Sequence, residues 1–195
     1  MASQGRKTIL RDALIDWFSV FGRDLPWRHS RDPWLVLVSE LMLQQTQVKR
    51  VEERLPVFVK QFASPHELAE ARPAEVITAW MGLGYNRRAL NLHRAATQIV
   101  EVHGGSVPSD LEALLALPGV GPYTARAVRV FAFEKPDAVV DTNVGRVLAR
   151  WEGRSLKPRE AQRLADRLAS PEHSWVWNQA IMELGALVCM RAPQC

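Results

Sequence analysis

A chain of 195 residues with 47% hydrophobic side chains has material for one large domain or two small lobes, which excludes a disordered tail or a disulfide-stapled miniprotein. The net charge is +4 and the pI about 9.4, with lysine confined to Lys7, Lys49, Lys60, Lys135 and Lys157, so the basic residues are mostly arginine. That balance fits a polyanion such as nucleic acid and equally an ordinary solvated surface. No secretory signal or apolar run of spanning length appears, so a cytoplasmic protein without a membrane partner is expected. Two cysteines, Cys189 and Cys195, do not make a disulfide framework.

In chain order, residues 1–8 are polar and expected to fray. From Ile9 the apolar positions Leu10, Leu14, Trp17, Phe18 and Phe21 recur at helical spacing, and Gly22 is a stop. Residues 24–28 read as a loop, and Asp32-Pro33 as a cap followed by proline at the first helical position. Between Trp34 and Leu43 nearly every residue is apolar except Ser39 and Glu40, which predicts a helix buried on all sides. Helical patterns follow over 48–62, 66–70, 73–81, 87–103, 110–116, 123–133, 144–151, 158–168 and 174–189. Ala138-Val139-Val140 is short and apolar and suits a loop or a buried turn as well as a strand. The fold class is therefore all-α, with many helices and short connections.

Residues 110–132 read as helix, Leu117-Pro118-Gly119-Val120-Gly121, helix. Two glycines one residue apart permit a tight turn and close backbone approach, and Pro122 opens the second helix. The N–H groups and dipole at such a helix start hold anions, and DNA phosphate is the natural one for an arginine-rich chain. A plain helical hairpin with a glycine turn is the alternative.

LPGVGPYTA followed by VVDTN resembles the helix-hairpin-helix DNA glycosylase superfamily. LPWR at 25–28, VSELMLQQTQV at 38–48 and GLGY at 82–85 narrow the resemblance to the adenine glycosylase (MutY) family. It runs from about Trp17 to Cys189 and implies a two-lobed fold with the DNA cleft between the lobes. One lobe would span about 30–135, with the hairpin at 110–132, and the other 9–29 with 136–195. The implied partner is double-stranded DNA carrying a mismatch or an oxidised base, bound by a monomer, nucleoid-associated if the source is bacterial. The implied activity is base excision repair, hydrolysing the N-glycosidic bond of adenine opposite 8-oxoguanine or guanine.

The resemblance assigns roles residue by residue. Glu40 lies at the general-acid position. Its apolar neighbourhood would raise its pKa and keep it protonated, although pairing with an arginine such as Arg28 is the structural alternative. Asp141 has the chemistry of a helix cap; the resemblance makes it the carboxylate that stabilises positive charge on the sugar, with Asn143 helping to organise the site. Tyr123 stands where strand-cleaving relatives carry a lysine, and tyrosine forms no Schiff base, so base removal without strand cleavage is implied.

An enzyme acting on a base within a duplex must extrude it. Gln44, Gln45 and Thr46, ending the buried helix, carry groups that bond base edges; Gln45 and Thr46 match residues beside the extruded base's partner. Leu83 and Tyr85, flanking Gly84, resemble the wedge and stacking residues. Trp27, Arg28, Leu43, Val48, Gln179 and Met182 fall where the family builds its adenine pocket. Arg87, Arg88 and Arg126 are expected phosphate contacts beside Leu117, Gly119, Val120, Gly121 and Thr124 of the hairpin.

The family's [4Fe–4S] cluster uses four thiolates. Cys189 and Cys195 would contribute only if residues beyond Cys195 complete the set, so the chain as read demonstrates no cofactor. Longer relatives also carry a C-terminal domain that helps recognise 8-oxoguanine, and nothing in this sequence matches it. Two other readings stay open: a thymine or uracil mismatch glycosylase on the same scaffold, and a non-catalytic DNA-binding module, which explains the hairpin and arginines but not both carboxylates.

Overall fold

The structure, a computed structural model, describes residues 2–169 and 171–192, without the side chains of 2–8 and 10. Cys195 lies outside the described residues. Among them there is no strand; helices joined by short turns make up the chain. They divide into two units, one formed by Leu25–Phe133 and the other by Met1–Asp24 together with Glu134–Cys195.

The central unit is built around α2 (Pro33–Leu43). Asp32 caps it, its Oδ1 accepting from Trp34 N at 3.0 Å, and Pro33 begins it. Such a cap stabilises a helix by about 1 kcal/mol. Trp34, Val36, Leu37, Val38, Leu41 and Met42 are buried on every side, the consequence of a helix with no polar face. Around α2 pack α3 (Val48–Gln61), α6 (Arg87–His103) and α8 (Pro122–Phe131). The short α4 (Pro65–Glu70) and α5 (Pro73–Ala79) lie on α6, and α7 (Leu111–Leu115) lies on α8. Phe58 meets Trp80 edge-on at 5.7 Å and Phe62 at 5.1 Å, and the Trp34 indole donates to Phe62 O at 3.0 Å. Aromatic burial of this kind is worth about 1.5–3 kcal/mol per side chain. The stretch read as a loop near Trp27 contains a 3-10 turn, Pro26–His29.

The second unit pairs α1 (Ala2–Phe21) with α11 (Ser174–Leu187), and packs α9 (Thr142–Trp151) on α11 and on α10 (Pro158–Leu168). Helix α1 starts at Ala2, so the polar segment expected to fray is helical; it contains no proline, and its glycine, Gly5, lowers helix propensity without ending the helix. The core joins Val144, Leu148, Ala161, Leu164, Trp177 and Ile181. At the end of α1, Arg23 binds the buried Glu183 of α11: its backbone N and Nε donate to Oε1 at 2.9 and 2.7 Å, and Nη2 to Oε2 at 3.0 Å. Ala138-Val139-Val140 forms a loop, and amide side chains bind two of its backbone groups in place of a sheet. Asn178 Oδ1 accepts from Val139 N at 2.7 Å, and Gln162 Nε2 donates to Ala138 O at 2.9 Å. No described helix is long and apolar enough to cross a membrane.

Candidate active site

In the central unit, Glu40 sits near the C-terminal end of α2 and is only 4% exposed, among side chains that are themselves buried. Past Leu43 the helix stops, and Gln44-Gln45-Thr46 forms the turn into α3 instead of extending the helix. Gln45 takes a left-handed backbone, φ 55°, with its side chain exposed. Gln44 Nε2 donates to the buried Thr124 Oγ1 at 3.2 Å, tying this turn to α8.

Helix α8 is the second helix of the Leu117–Gly121 hairpin. Val120 N closes the turn on Leu117 O at 3.1 Å. Gly119 has φ +83°, and a Cβ there would lie 2.8 Å from Cβ of Asn91, so both conformation and space demand glycine. Gly121 precedes Pro122 and offers no side-chain cap, leaving the first N–H groups of α8 to other acceptors. Arg129 braces the hairpin through Nη1 to Ser109 O at 2.9 Å.

The glycine loop 82–85 corrects two expectations. Leu83 is 3% exposed and anchors the loop from inside, so it does not stand out as a wedge in the free protein; Tyr85, 64% exposed, is the apolar side chain this loop presents, with Met81, 63% exposed, just before it. Arg88 is not a phosphate contact either. It is 9% exposed, and its guanidinium is turned inward. Nη1 donates to Leu41 O and Met42 O at 2.9 Å each and to Gln44 O; Nη2 donates to Thr46 Oγ1 and Leu83 O at 2.9 Å each and to Gly84 O at 3.1 Å. The rings of Trp80 and Tyr85 flank it, each 5.5 Å from the guanidinium carbon. Burial pushes its pKa below the ordinary arginine value. The neighbouring Arg87 is exposed and Arg126 half-buried.

In the second unit, Asp141 is the N-cap of α9, so the capping alternative read from its sequence is correct in itself. Its Oδ1 accepts from Val144 N at 2.7 Å and its Oδ2 from Asn143 Nδ2 at 3.2 Å. Burial pushes its carboxyl above the usual aspartate value; hydrogen bonds from Val144 and Asn143 and the positive charge of Arg146 pull the other way without cancelling the effect. Asn143 is held in turn by Arg146, whose Nη2 donates to Asn143 Oδ1 at 2.8 Å and to Gly185 O at 2.7 Å. Gly185 faces Asn143 closely: a Cβ there would lie 2.8 Å from Cβ of Asn143 and 3.0 Å from its backbone. Arg146, Asn178 and Gly185 were missed by the sequence reading; two of them look like ordinary polar helix residues until Asn178 is seen holding the loop before Asp141 and Arg146 holding Asn143.

The other expected residues fall within one unit or the other. Trp27 is buried, Arg28, Leu43 and Val48 are half-buried, and Tyr123 is half-buried one residue into α8; all belong to the central unit. Gln179 is buried on α11, and Met182 packs on the core of the second unit. Cys189 packs there too, with Arg150 Nη1 donating to its Sγ at 3.0 Å and Arg146 Nε to its carbonyl at 2.6 Å. A four-thiolate cluster does not fit the residues of this chain. It has two cysteines, and among the described residues no group of three or more His, Cys, Asp and Glu side chains gathers to hold a metal.

Residues 38–171 match the family of HhH-GPD superfamily base excision DNA repair proteins, and the chain belongs to that family. It is 44% identical to the adenine DNA glycosylase of Mycobacterium tuberculosis over 98% of this chain and 66% of that protein. It is 36% identical to the thymine/uracil-DNA glycosylase of Pyrobaculum aerophilum over 96% of this chain and 86% of that protein. Among solved structures, a thermostable thymine-DNA glycosylase superposes with a TM-score of 0.92 at 29% identity, covering 100% of this chain and 93% of that one. The chain thus spans 66% of the length of the M. tuberculosis adenine glycosylase.

Proposed function

We propose that this protein is a monofunctional DNA glycosylase that hydrolyses the N-glycosidic bond of adenine mispaired with 8-oxoguanine or guanine in double-stranded DNA. The observation that carries the reading is the burial of Glu40 on α2, which packs directly on the hairpin helix α8. A protonated carboxyl donates its proton to a ring nitrogen of the extruded adenine, and the electrons of the C1′–N bond leave with the base. The sugar is left as an oxocarbenium-like cation, which the ionised carboxylate of Asp141, steadied by Asn143, stabilises. Water then attacks C1′, its oxygen forming the new bond and its proton returning to a carboxylate, so the product is an abasic site. Tyr123 has no amine with which to capture the sugar. The hairpin turn with Gly119 and Gly121 and the exposed Arg87 serve as phosphate contacts, while Gln45 and Tyr85 meet the bases. The identity to adenine glycosylases supports adenine as the leaving base.

A second reading, excision of thymine or uracil from mismatches with guanine, is favoured by the fuller coverage of the thymine/uracil glycosylase and by the superposition on the thymine enzyme. Single-turnover base release from duplexes carrying A·8-oxoG, A·G, T·G and U·G separates the two. Release of adenine is the expected result, and release of thymine or uracil without adenine replaces the first reading with the second.

A further inference from the structure

Two of the exposed residues assigned to the bases share an unusual backbone. Gln45 (φ 55°) and Tyr85 (φ 48°) are left-handed without being glycine. Side chains with a Cβ stay in that region only where the surroundings over-determine them, and such strain gathers at functional sites. Gln45 lies in the turn after α2 and Tyr85 ends the glycine loop, well separated in sequence.

One buried group holds both segments. The guanidinium of Arg88 takes carbonyls that the last turn of α2 leaves without helical partners, and on its other edge takes the carbonyls of Leu83 and Gly84. Thr46 closes the circuit: its hydroxyl accepts from Arg88 Nη2 at 2.9 Å and donates to Leu83 O at 3.2 Å. The indole of Trp80 adds a bond to Gly84 O at 3.1 Å, and the Tyr85 ring lies beside the cation. The two terminal nitrogens of a planar guanidinium serve acceptors on two sides at once, whereas the ammonium of lysine is a point charge with three donors. Burying a cation is costly unless hydrogen bonds satisfy it, so the geometry of those bonds is what the site uses.

We propose that Arg88 is a positioning residue that locks Gln45 and Tyr85 into one rigid element, presented to the duplex as a preset pair. The inference rests on the glycosylase reading for its purpose but not for its physical content, which belongs to the free protein.

The test uses the full chain with Arg88→Lys. In the free protein, amide hydrogen exchange should quicken at 44–46 and at 82–86 together, while α8 keeps its protection. With substrate, single-turnover base release should fall about a hundredfold, the scale of an ångström-sized misplacement, while affinity for an undamaged duplex, set by the hairpin, stays unchanged. Added guanidinium should restore part of the lost release in Arg88→Ala. Wild-type exchange and release in Arg88→Lys overturn the proposal, as does a parallel loss of Tm, duplex affinity and release, which marks a folding residue only. Should Arg88→Lys not fold, Thr46→Val removes the linking hydroxyl and is expected to loosen both segments; loosening confined to 44–46 overturns the coupling. If wild type releases no base from any duplex, the glycosylase reading falls while the exchange result still decides the role of Arg88.

Discussion

The two carboxyls sit in different surroundings. Glu40 is buried on α2, a helix without a polar face, among neighbours that exclude water. Asp141 is placed by hydrogen bonds: the amide of Val144, the side chain of Asn143, and behind them Arg146 and the backbone of Gly185. At Asp141 burial raises the carboxyl above the usual aspartate value, and the hydrogen bonds from Val144 and Asn143 and the charge of Arg146 offset part of that rise. In the proposed reaction, environment more than residue type separates an acid from an electrostatic stabiliser.

The largest expected effect breaks the first half of that contrast. Glu40→Gln keeps the shape but has no acidic proton, and single-turnover adenine release should fall about 10²–10⁴-fold, the range for general acid catalysis. Asp141→Asn should cost about 10²–10³-fold through lost charge stabilisation. Its stability should behave differently. Asparagine caps a helix as well as aspartate does, so melting at neutral pH should show Asp141→Asn no less stable than wild type. The sign follows from the raised pKa of Asp141. Folding favours its protonated form, so its contribution is fully present below about pH 3.9, the ordinary aspartate value, and is lost as pH rises through the folded value. The advantage of the asparagine variant should therefore grow across that window and level off above it. The wild-type rate should show an acid limb with its midpoint above about 3.9, and Asp141→Asn should lack it.

Smaller effects sharpen the comparison. Gly185→Ala adds a methyl against Asn143; overpacking of this kind costs about 1–3 kcal/mol, outweighing the helix propensity that alanine gains. Melting should fall and base release should drop with it, whereas the same change at Gly145, where a Cβ meets nothing within 4 Å, should be tolerated. Gly119→Ala should weaken binding to an undamaged duplex, read by fluorescence anisotropy, because the hairpin turn must shift away from Asn91.

What the sequence revealed follows the same division. The burial of Glu40 was legible because a helix apolar on every side but for Ser39 and Glu40 must be buried all round, and Asp32-Pro33 marked the start of α2. The bounds of α6 and α10 were legible too, since the glycines at 104 and 105 and the proline at 158 punctuate them. Arg88 and Leu83 were not. An arginine opening a helix beside a glycine loop reads as a surface cation, and nothing local says that the orphaned carbonyls of a distant helix end lie within its reach. A leucine between glycines reads as exposed, whereas the left-handed turns at Gly82 and Gly84 fold it inward. The network behind Asp141 was hidden for the same reason: Arg146 and Asn178 lie on helices whose polar residues ordinarily face solvent.

The division of labour between the carboxyls is tested most directly by single-turnover adenine release from an A·8-oxoG duplex, followed across pH for wild type, Glu40→Gln and Asp141→Asn. The expected result is a severe loss in both variants, with the acid limb absent only from Asp141→Asn. Release by Glu40→Gln at the wild-type rate would contradict the assignment of the proton to the buried helix.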